Sequence, residues 1–390
     1  MFKILTLNKI AAQGIALFPK GVYETGTHFK DADALMVRSA LINTEAITSS
    51  VLAIARSGAG VNNIPVEFCS EHGIIVFNTP GANANAVKEL VLASLFFSSR
   101  RLLDGIRWTK TLAGSEDEIS AFVENGKSQF EGPEIAGKTL GIVGLGAIGV
   151  AVANDASALG MDVIGFDPYI SVDAAWNLSR LVRRADSLEQ LLQKSDYVTI
   201  HVPYSEKTKH LFDEHKFLQM KRGSRLINLA RGGLAKEVDV IAALNSGIIE
   251  CYVTDFPTPE LIAHDKVICV PHLGASTPEA EIQCAKMAAA QLINFLEYGT
   301  IKNSVNFPDC KLAQSERNRL LVANRNIPNM VGQITTELAR EKINITDLIN
   351  HHKENYAFNI IDTEQEIPAA LIERLRCIEG VVRVRTITKQ

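Results

Sequence analysis

One stretch of the chain, residues 139–167 with the sequence TLGIVGLGAIGVAVANDASALGMDVIGFD, restricts the fold more than any other. It predicts a buried apolar strand, a tight turn, a helix and a second strand. Gly144, Gly146 and Gly149 form the pattern G-x-G-x-x-G at the turn, where the helix N-terminus offers unpaired N–H groups to phosphates. Asp167 ends the second strand, where a ribose-binding carboxylate is expected. The stretch therefore predicts a dinucleotide site, with a glycine-rich turn in an unrelated α/β unit as the alternative.

Short apolar strands alternate with helical segments on both sides of this stretch, which predicts parallel sheets. Two of the upstream strands end at Arg38 and at the segment Arg56, Ser57 and Gly58. Ligands of open parallel sheets sit beyond the carboxyl ends of strands, and a planar guanidinium there suits a carboxylate or a phosphate. Read alone, each arginine could also be an ordinary surface residue in a loop.

The pattern predicts an α/β protein with two doubly wound parallel-sheet lobes, one of Rossmann type and one flavodoxin-like. From residue 320 the order becomes strand, helix, strand, strand, helix, strand, which indicates a small ferredoxin-like module. The polar stretch 109–138 is predicted to be irregular. We expect four segments: a substrate lobe at 1–98 completed by 276–305, a nucleotide lobe at 99–275, a linker at 306–318 and the module at 319–390.

The overall composition argues against several classes of function. The net charge is −4 and the sequence pI about 6.2, so nothing suggests a nucleic-acid surface. The six cysteines lack C-x-x-C spacing, so they indicate reduced thiols and no metal site. The first residues lack the shape of a signal peptide, and no apolar run reaches the roughly 18 residues of a membrane span. We therefore expect a cytoplasmic protein with no nucleic-acid or membrane partner.

Three side chains downstream of the glycine motif, Arg231, Glu260 and His272, lie at strand ends or in the loops beside them. Hydride transfer from an alcohol carbon needs a base for the hydroxyl proton, and a histidine suits that role near neutral pH. A carboxylate would orient the imidazole, and an arginine would bind a substrate carboxylate through two parallel N–H bonds. Taken singly, His272 could be a satisfied loop histidine, Glu260 a solvated loop acid and Arg231 a phosphate contact. Their shared location beside a nucleotide site favours catalysis.

Several motifs resemble the NAD-dependent D-2-hydroxyacid dehydrogenases in order and spacing over roughly residues 30–300. They are RSGAGVNNI, NTPGANANAVKEL, GLGAIG with FDP, HVP, NLARGG, DFPTPE and PHLGAST. The resemblance implies NAD as the cofactor and Arg231, Glu260 and His272 as the catalytic residues. Beyond the three glycines, it implies cofactor contacts at Ala147, Ile148, Asp167, His201, Pro203, Ala230, Asp255 and Gly274. It implies substrate contacts at Arg56, Ser57, Gly58, Asn83 and Asn85. The sequence departs from the family around Glu260, where the usual Glu-Glu-Pro or Glu-Pro is absent.

The C-terminal module resembles an ACT domain. With the dehydrogenase motifs, it implies oxidation of 3-phospho-D-glycerate (3-phosphoglycerate) to 3-phosphohydroxypyruvate, the first step of L-serine synthesis. The alternatives are a dehydrogenase for another D-2-hydroxy acid, such as glycerate, and an NAD-sensing regulator that has lost turnover. In related modules serine sits where two copies pair, which implies a homo-oligomer with an L-serine site at Asn324, Asn326 and Asn344. An asparagine here replaces both the ligand-binding histidine, at 324, and the turn glycine, at 329.

Overall fold

A computed structural model of the protein describes residues 1–313 and 318–388. Its contacts divide the chain into two compact units, one formed by Met1–Ala82 with the chain from Pro278 onwards, the other by Asn83–Thr277. The first boundary thus lies at 82/83, earlier than the expected 98/99. The helix that follows the boundary packs on the second unit, as described below.

The first unit contains a five-stranded parallel sheet in the order β2-β1-β3-β4-β5, which is the flavodoxin-like order. Its elements are β1 (Phe2–Leu7), α1 (Ala12–Ile15), β2 (Tyr23–Gly26), β3 (Ala34–Val37), β4 (Ala53–Arg56), α2 (Val66–Glu71) and β5 (Ile75–Phe77). The strands β3, β4 and β5 are almost wholly buried, as their continuous apolar sequences predict.

The second unit contains a seven-stranded parallel sheet in the order β12-β11-β10-β9-β6-β7-β8. Its helices are α3 (Ala84–Ser99), α4 (Leu102–Thr109), α5 (Glu116–Gly126), α6 (Ala147–Ala158), α7 (Val172–Asn177), α8 (Leu188–Lys194), α9 (Glu214–Leu218), α10 (Glu237–Asn245) and α11 (Pro259–Ile262). Its strands are β6 (Thr139–Val143), β7 (Asp162–Phe166), β8 (Arg183–Arg184), β9 (Tyr197–Ile200), β10 (Ser224–Asn228), β11 (Ile249–Thr254) and β12 (Val267–Cys269). The chain order reverses at β6, and ligands of such sheets bind at this switch point.

Helix α3 belongs to the second unit because its contacts lie there. The Ser99 hydroxyl shares a hydrogen bond of 2.7 Å with the Tyr197 hydroxyl of β9. Arg225 Nε of β10 donates to the Ser98 carbonyl at 2.7 Å. The apolar residues of this helix do not by themselves reveal which of the two sheets it covers.

The polar stretch 109–138 is not irregular throughout, so that prediction was wrong. Helix α5 begins at a reciprocal capping box, in which Glu118 N donates to Ser115 Oγ at 3.4 Å and Ser115 N donates to Glu118 Oε2 at 2.8 Å. The S-x-x-E signal is present in the sequence. It outweighs the low apolar content because a satisfied N-terminus stabilises even an exposed helix.

After α12 (Pro278–Tyr298), the chain forms the C-terminal module, an antiparallel sheet in the order β14-β15-β13-β16. Its elements are β13 (Asn318–Arg325), α13 (Met330–Arg340), β14 (Ile345–Lys353), β15 (Tyr356–Thr363), α14 (Ala369–Arg376) and β16 (Val381–Ile387). This is the predicted ferredoxin-like order of elements. Asn329 adopts a left-handed conformation before α13, the role expected of it when it replaces glycine.

The module shares a hydrophobic core with the first sheet and α12. One face of the module sheet packs on α13 and α14. The other face contributes Leu321, Ala323, Phe358 and Ile360 to the core beneath α12. The expected linker is described as far as residue 313, and its residues Phe307 and Cys310 are buried in the same core. In the part of the chain that the structure describes, every helix is too short or too polar to cross a bilayer.

A substitution at Gly73 would measure how closely the module packs against the first sheet. It has φ +65°, and a Cβ added there would lie 2.5 Å from Arg383 Cβ of the module. Gly21 also has a positive φ, +87°, but an added Cβ meets no atom within 4 Å. We expect Gly21→Ala to cost about 1–2 kcal/mol of unfolding free energy, the usual left-handed penalty, and Gly73→Ala to cost clearly more. Urea unfolding, monitored by circular dichroism, measures both free energies. Equal losses for the two variants would mean that the module shifts at this contact without cost.

Candidate active site

The turn between β6 and α6 is built by backbone contacts that only glycine permits. Gly144 has φ +95°, and a Cβ there would lie 2.7 Å from the His201 carbonyl oxygen. A Cβ on Gly149 would lie 2.0 Å from the Gly144 carbonyl oxygen. At Gly146, by contrast, an added Cβ meets nothing within 4 Å, so the turn is open in front of the helix that begins at Ala147 and continues through Ile148. This open cradle at a helix N-terminus fits a pyrophosphate.

Asp167 directly follows β7 and is held by two backbone donors. Leu145 N donates to Oδ2 and Tyr169 N to Oδ1, each at 2.8 Å. The carboxylate is half-buried, and each oxygen keeps a second lone pair for a further donor. Its orientation is therefore fixed before any ligand binds, as a ribose-binding acid requires.

His201 and Pro203 continue from β9, the neighbour of β6. Burial lowers the pKa of His201 to about 4, so the ring is neutral near pH 7, and its Nε2 lies 3.0 Å from Thr199 Oγ1. Pro203 lines an open cleft of about 550 Å³ together with Tyr204 and the segment 231–233. The structure thus places Pro203, which was predicted to contact the cofactor, and Arg231 on the same cleft.

Arg231 follows β10 and is positioned by Asn228. Asn228 Oδ1 accepts from Ala230 N at 3.2 Å and from Arg231 N at 3.4 Å, while its Nδ2 donates to the Arg231 carbonyl at 2.9 Å. The guanidinium is exposed and Nη1 donates to the Ala230 carbonyl at 2.7 Å. Most of its N–H donors therefore point to solvent, where they can reach a carboxylate.

Asp255, at the end of β11, is a buried carboxylate with unused hydrogen-bonding capacity. Its side chain is 2% exposed, and Oδ1 has no hydrogen-bond partner among the residues described. Burial raises the pKa of Asp255, while the charges of His272 and Arg231 act in the opposite direction. Gly274 lies against it, since a Cβ there would be 3.9 Å from Asp255 Oδ2. An orphaned buried acceptor of this kind fits a ligand amide or hydroxyl donor.

His272 is exposed, and its ring packs edge-on against Phe256 with the centroids 5.0 Å apart. Glu260 is also exposed and lies in the single turn of α11, whose N-cap is the Thr258 hydroxyl. Across residues 1–313 and 318–388, neither an ion pair nor a hydrogen bond joins Glu260 to His272. The structure thus groups Arg231, Asp255 and His272, while Glu260 lies in the same unit without a contact to the histidine.

The predicted substrate loop lies in the first unit, beyond β4. Arg56 Nε donates to the Arg38 carbonyl at 3.0 Å and Nη1 to the Gly60 carbonyl at 2.5 Å. A Cβ on Gly58 would lie 2.8 Å from Arg56 Nη1, so the guanidinium rests on the backbone of its own loop. Ser57 is buried, with its N–H donating to the Val37 carbonyl at 2.7 Å. The loop is therefore ordered by its own hydrogen bonds.

Asn83 and Asn85 open α3 and belong to the second unit. Asn83 occupies the N-cap position without a side-chain capping bond, and Asn85 Nδ2 donates to Glu89 Oε1 at 2.8 Å. Both amides thus lie at a helix N-terminus.

The three asparagines predicted to bind an effector are not together within one module. Asn324 is 1% exposed and pairs across the sheet with Ala357, whereas Asn344 precedes β14 at the end where Ile345 pairs with Thr363. Asn324 Oδ1 accepts from Asn359 Nδ2 at 2.7 Å, and Asn326 Nδ2 donates to the Glu354 carbonyl at 3.2 Å. Asn324 therefore joins β13 to β15, and Asn326 ties the β13–α13 loop to the β14–β15 turn. A site that includes Asn344 would need a second copy of the module.

Three residues near the site were not identified from the sequence: Asn228, Tyr204 and Phe256. Asn228 could have been found, because it begins the NLARGG motif and a buried Asn at a strand end commonly binds the following backbone. Tyr204 packs where a Cβ of Gly233 would lie, 2.6 Å from its Cε2. No local pattern signals that contact or the packing of Phe256 on His272.

The β6–α6 turn at the switch point of a parallel sheet, with Asp167 beyond the next strand, defines a dinucleotide-binding domain. Residues 94–274 match the family described as "D-isomer specific 2-hydroxyacid dehydrogenase, NAD binding domain". The glycine turn, Asp167 and Arg231 lie within this matched part, which is therefore similar to the NAD-binding domain of that family.

The chain is similar to D-3-phosphoglycerate dehydrogenases of Methanocaldococcus jannaschii, at 34% identity, and Bacillus subtilis, at 31%. These alignments cover 82% and 79% of this chain, but it spans only 60% and 59% of the length of those relatives. It is also similar to the NAD⁺-bound 3-phosphoglycerate dehydrogenase structure of Entamoeba histolytica, with a TM-score of 0.60 and 26% identity. That match covers 78% of this chain and 98% of that one.

The second and third glycines of the turn, Gly146 and Gly149, separate folding from cofactor binding. Gly149→Ala forces a methyl against the Gly144 carbonyl, so we expect it to lower the unfolding free energy by roughly 1–3 kcal/mol or more. Gly146→Ala places its methyl in open space, so we expect unchanged stability but weaker NADH binding. Thermal unfolding and NADH fluorescence titration measure the two effects; tight NADH binding by Gly146→Ala would show that the pyrophosphate does not approach this backbone.

Asp167 predicts preference for NAD over NADP. Its carboxylate would accept from ribose hydroxyls and repel a 2′-phosphate, and no arginine follows it in Pro168, Tyr169 and Ile170. Asp167→Ser should weaken NADH binding by ~10-fold and narrow the preference over NADPH, because hydrogen bonds to a charged group contribute about 1.5–3 kcal/mol. Titration with both cofactors measures this, and equal affinity of the unaltered protein for the two would contradict it.

Proposed function

We propose that the chain is an NAD-dependent D-2-hydroxyacid dehydrogenase that oxidises 3-phosphoglycerate to 3-phosphohydroxypyruvate, the first step of L-serine synthesis. The observation that carries this is the grouping of Arg231 and His272 around buried Asp255, in the same unit as the NAD turn. The similarity to two D-3-phosphoglycerate dehydrogenases supports the choice of hydroxy acid. We propose a cytoplasmic location for the protein.

Each predicted residue has a role that its environment permits. His272 would take the hydroxyl proton of the substrate, since its exposed ring is accessible and an imidazole suits that transfer near neutral pH. Arg231, whose guanidinium faces solvent, would bind the C1 carboxylate through two parallel bonds. Glu260 would stabilise the charged imidazole after a movement of its short helix, because no contact joins the two in the residues described.

The cofactor residues follow from the open turn. Gly144, Gly146 and Gly149 with Ala147 and Ile148 would receive the pyrophosphate, and Asp167 the adenosine ribose. His201, Pro203 and Ala230 would line the same side. Asp255 and Gly274 would lie near the nicotinamide, where the unpaired Oδ1 of Asp255 can accept from the carboxamide. NAD, when bound, supplies the hydride acceptor.

The substrate-binding residues are proposed to act on the other end of the acid. Arg56, with Ser57 and Gly58, would contact the phosphate from the ordered loop beyond β4. Asn83 and Asn85 would offer amide donors from the start of α3. L-serine would bind in a homo-oligomer, in contact with Asn324 and Asn326 of one module and Asn344 of a second. Two copies are needed because Asn324 and Asn344 lie at different ends of the sheet within a single module.

The assay that tests this function follows NADH oxidation with 3-phosphohydroxypyruvate, compared with hydroxypyruvate, the keto acid of glycerate. We expect His272→Asn to lower kcat by ~10²–10⁴ with NADH binding unchanged, the usual range for loss of a general acid or base, because in this reductive direction His272 would return the proton to the C2 oxygen. Arg231→Lys should also lower kcat, because Lys lacks the planar fork. His215→Asn, an exposed histidine on α9, is the matched control and should change neither value.

Two outcomes would contradict the proposal. Turnover of hydroxypyruvate at equal or higher efficiency would favour the glycerate alternative. NADH binding without turnover of either acid would favour a nucleotide-sensing regulator.

A further inference from the structure

A cavity of about 440 Å³ lies within the first unit, at the seam between the substrate lobe and the C-terminal module. Val66, Glu67, Ser70 and Glu71 of α2 line one side. The module lines the other, with Arg325 at the end of β13 and Lys353 to Tyr356 at the β14–β15 turn. Its volume is in the range of small-molecule sites. None of the roles proposed above for the catalytic, substrate-binding or effector residues uses this cavity.

The charges of the cavity are separated by the seam. Glu67 and Glu71 are exposed carboxylates one helical turn apart on α2. Neither forms an ion pair within 4.0 Å anywhere in the described chain. Like charges at this spacing destabilise a helix, so a cation placed between them would be stabilising. The lobe side of the cavity is therefore an unsatisfied binding surface for an ammonium group.

The module side carries the opposite charge. Arg325 has an exposed guanidinium, and the described residues supply it with no ion pair and no side-chain hydrogen bond. Lys353 Nζ donates to the Ser304 carbonyl at 2.9 Å, which leaves two of its three donors for other groups. Glu354 is the one acid on this side. A guanidinium and an ammonium with spare donors form a surface that suits a carboxylate.

Backbone and side-chain hydrogen bonds fix both walls of the cavity. Asn306 Nδ2 donates to Ser70 Oγ at 3.1 Å and to the Ile74 carbonyl at 2.9 Å, and Asn306 Oδ1 accepts from Val76 N at 2.9 Å. These buried bonds join the end of α2 to the segment after α12. On the other side, Asn326 N donates to the Asn355 carbonyl at 2.8 Å, which ties the β13–α13 loop to the β14–β15 turn. The two charged walls are thus held at fixed positions.

We propose that this seam binds a small zwitterion, an α-amino acid, with its ammonium group toward Glu67 and Glu71 and its carboxylate toward Arg325. Such a ligand matches the charge on each wall, whereas a simple anion or cation matches only one. The site is complete within one chain. It is therefore distinct from the Asn324, Asn326 and Asn344 site, which needs two modules.

The site also has a route to the substrate loop. Helix α2 begins at Val66, directly after the loop that carries Arg56, Ser57 and Gly58, and Cys69 N donates to the Pro65 carbonyl at 3.1 Å. A ligand bridging α2 and the module would therefore restrain the C-terminal end of this loop.

Isothermal titration calorimetry of the full-length Asn344→Ala protein with glycine and L-serine tests the proposal, because this background removes a contribution from paired modules. We expect one binding event per chain. Adding Arg325→Ala or Glu71→Ala should weaken it at least tenfold. Adding Arg376→Ala, an exposed arginine on α14 outside the cavity, should leave it unchanged. Acetate and ethylamine, which carry one charge each, should bind at least tenfold more weakly than glycine.

Three results would overturn the proposal: no binding of either amino acid, binding indifferent to Arg325→Ala and Glu71→Ala, or equal binding of acetate. All side chains changed are exposed, so the variants should fold, and circular dichroism checks this. The readout is binding and not turnover. Failure of the dehydrogenase assay would therefore leave this test intact, and failure of this test would leave the dehydrogenase proposal intact.

Discussion

The nucleotide site depends on one backbone contact, the approach of Gly149 on α6 to the Gly144 carbonyl at the end of β6. A Cβ at 149 would lie 2.0 Å from that oxygen, which leaves room for hydrogen alone. The close approach brings the helix N-terminus to the switch point of the sheet, where the strand order reverses between β9 and β7. Asp167, His201 and Arg231 then converge on one edge because each follows a parallel strand of the same sheet. The shared position of these three residues is therefore a consequence of strand direction, once the turn is fixed.

Features encoded in short segments could be predicted from the sequence. The β6–α6–β7 unit, the strand ends at Arg231 and Asp255, and the order of the module elements all follow from local apolar period and turn residues. Helix α5 was missed although its capping box is equally local, because the segment was judged by its polarity. Strand β2 was also missed, since YETG is short and half-polar and lies at the edge of the sheet beside β1.

Contacts between distant segments could not be predicted in this way. Asp255 carries a buried oxygen without a hydrogen-bond partner among the described residues, and its burial results from the packing of several segments around the end of β11. Glu260 shows the reverse case. The sequence places a carboxylate at the expected spacing, but the Thr258 cap and the single turn of α11 leave it exposed and out of contact with His272. Spacing along the chain fixes which residues are near the site, and the local helix fixes where their side chains point.

The sequence of β13 carries a signal for a second packing partner of the module that the prediction did not use. Along β13, Leu320 and Val322 face α13 and α14, while Leu321 and Ala323 face the core under α12. A strand that is apolar on both faces needs a cover on both, and the two helices of a ferredoxin-like module cover only one. The second cover is the substrate lobe, and burying each large apolar side chain there contributes about 1.5–3 kcal/mol.

The polar contacts at this junction have the same origin. Arg385 donates to the Phe295 carbonyl at 3.2 Å and Arg319 to the Tyr298 carbonyl at 2.8 Å, so two arginines of the module satisfy the last carbonyls of α12. The Phe295 carbonyl also accepts from Gly299 N at 2.9 Å, whereas Tyr298 is the last residue of α12. The module thus adds hydrogen bonds to the last turn of α12 as well as covering the first sheet. The module and the substrate lobe therefore belong to one compact unit, so the ligand proposed at their seam would bind a single body and not a hinge.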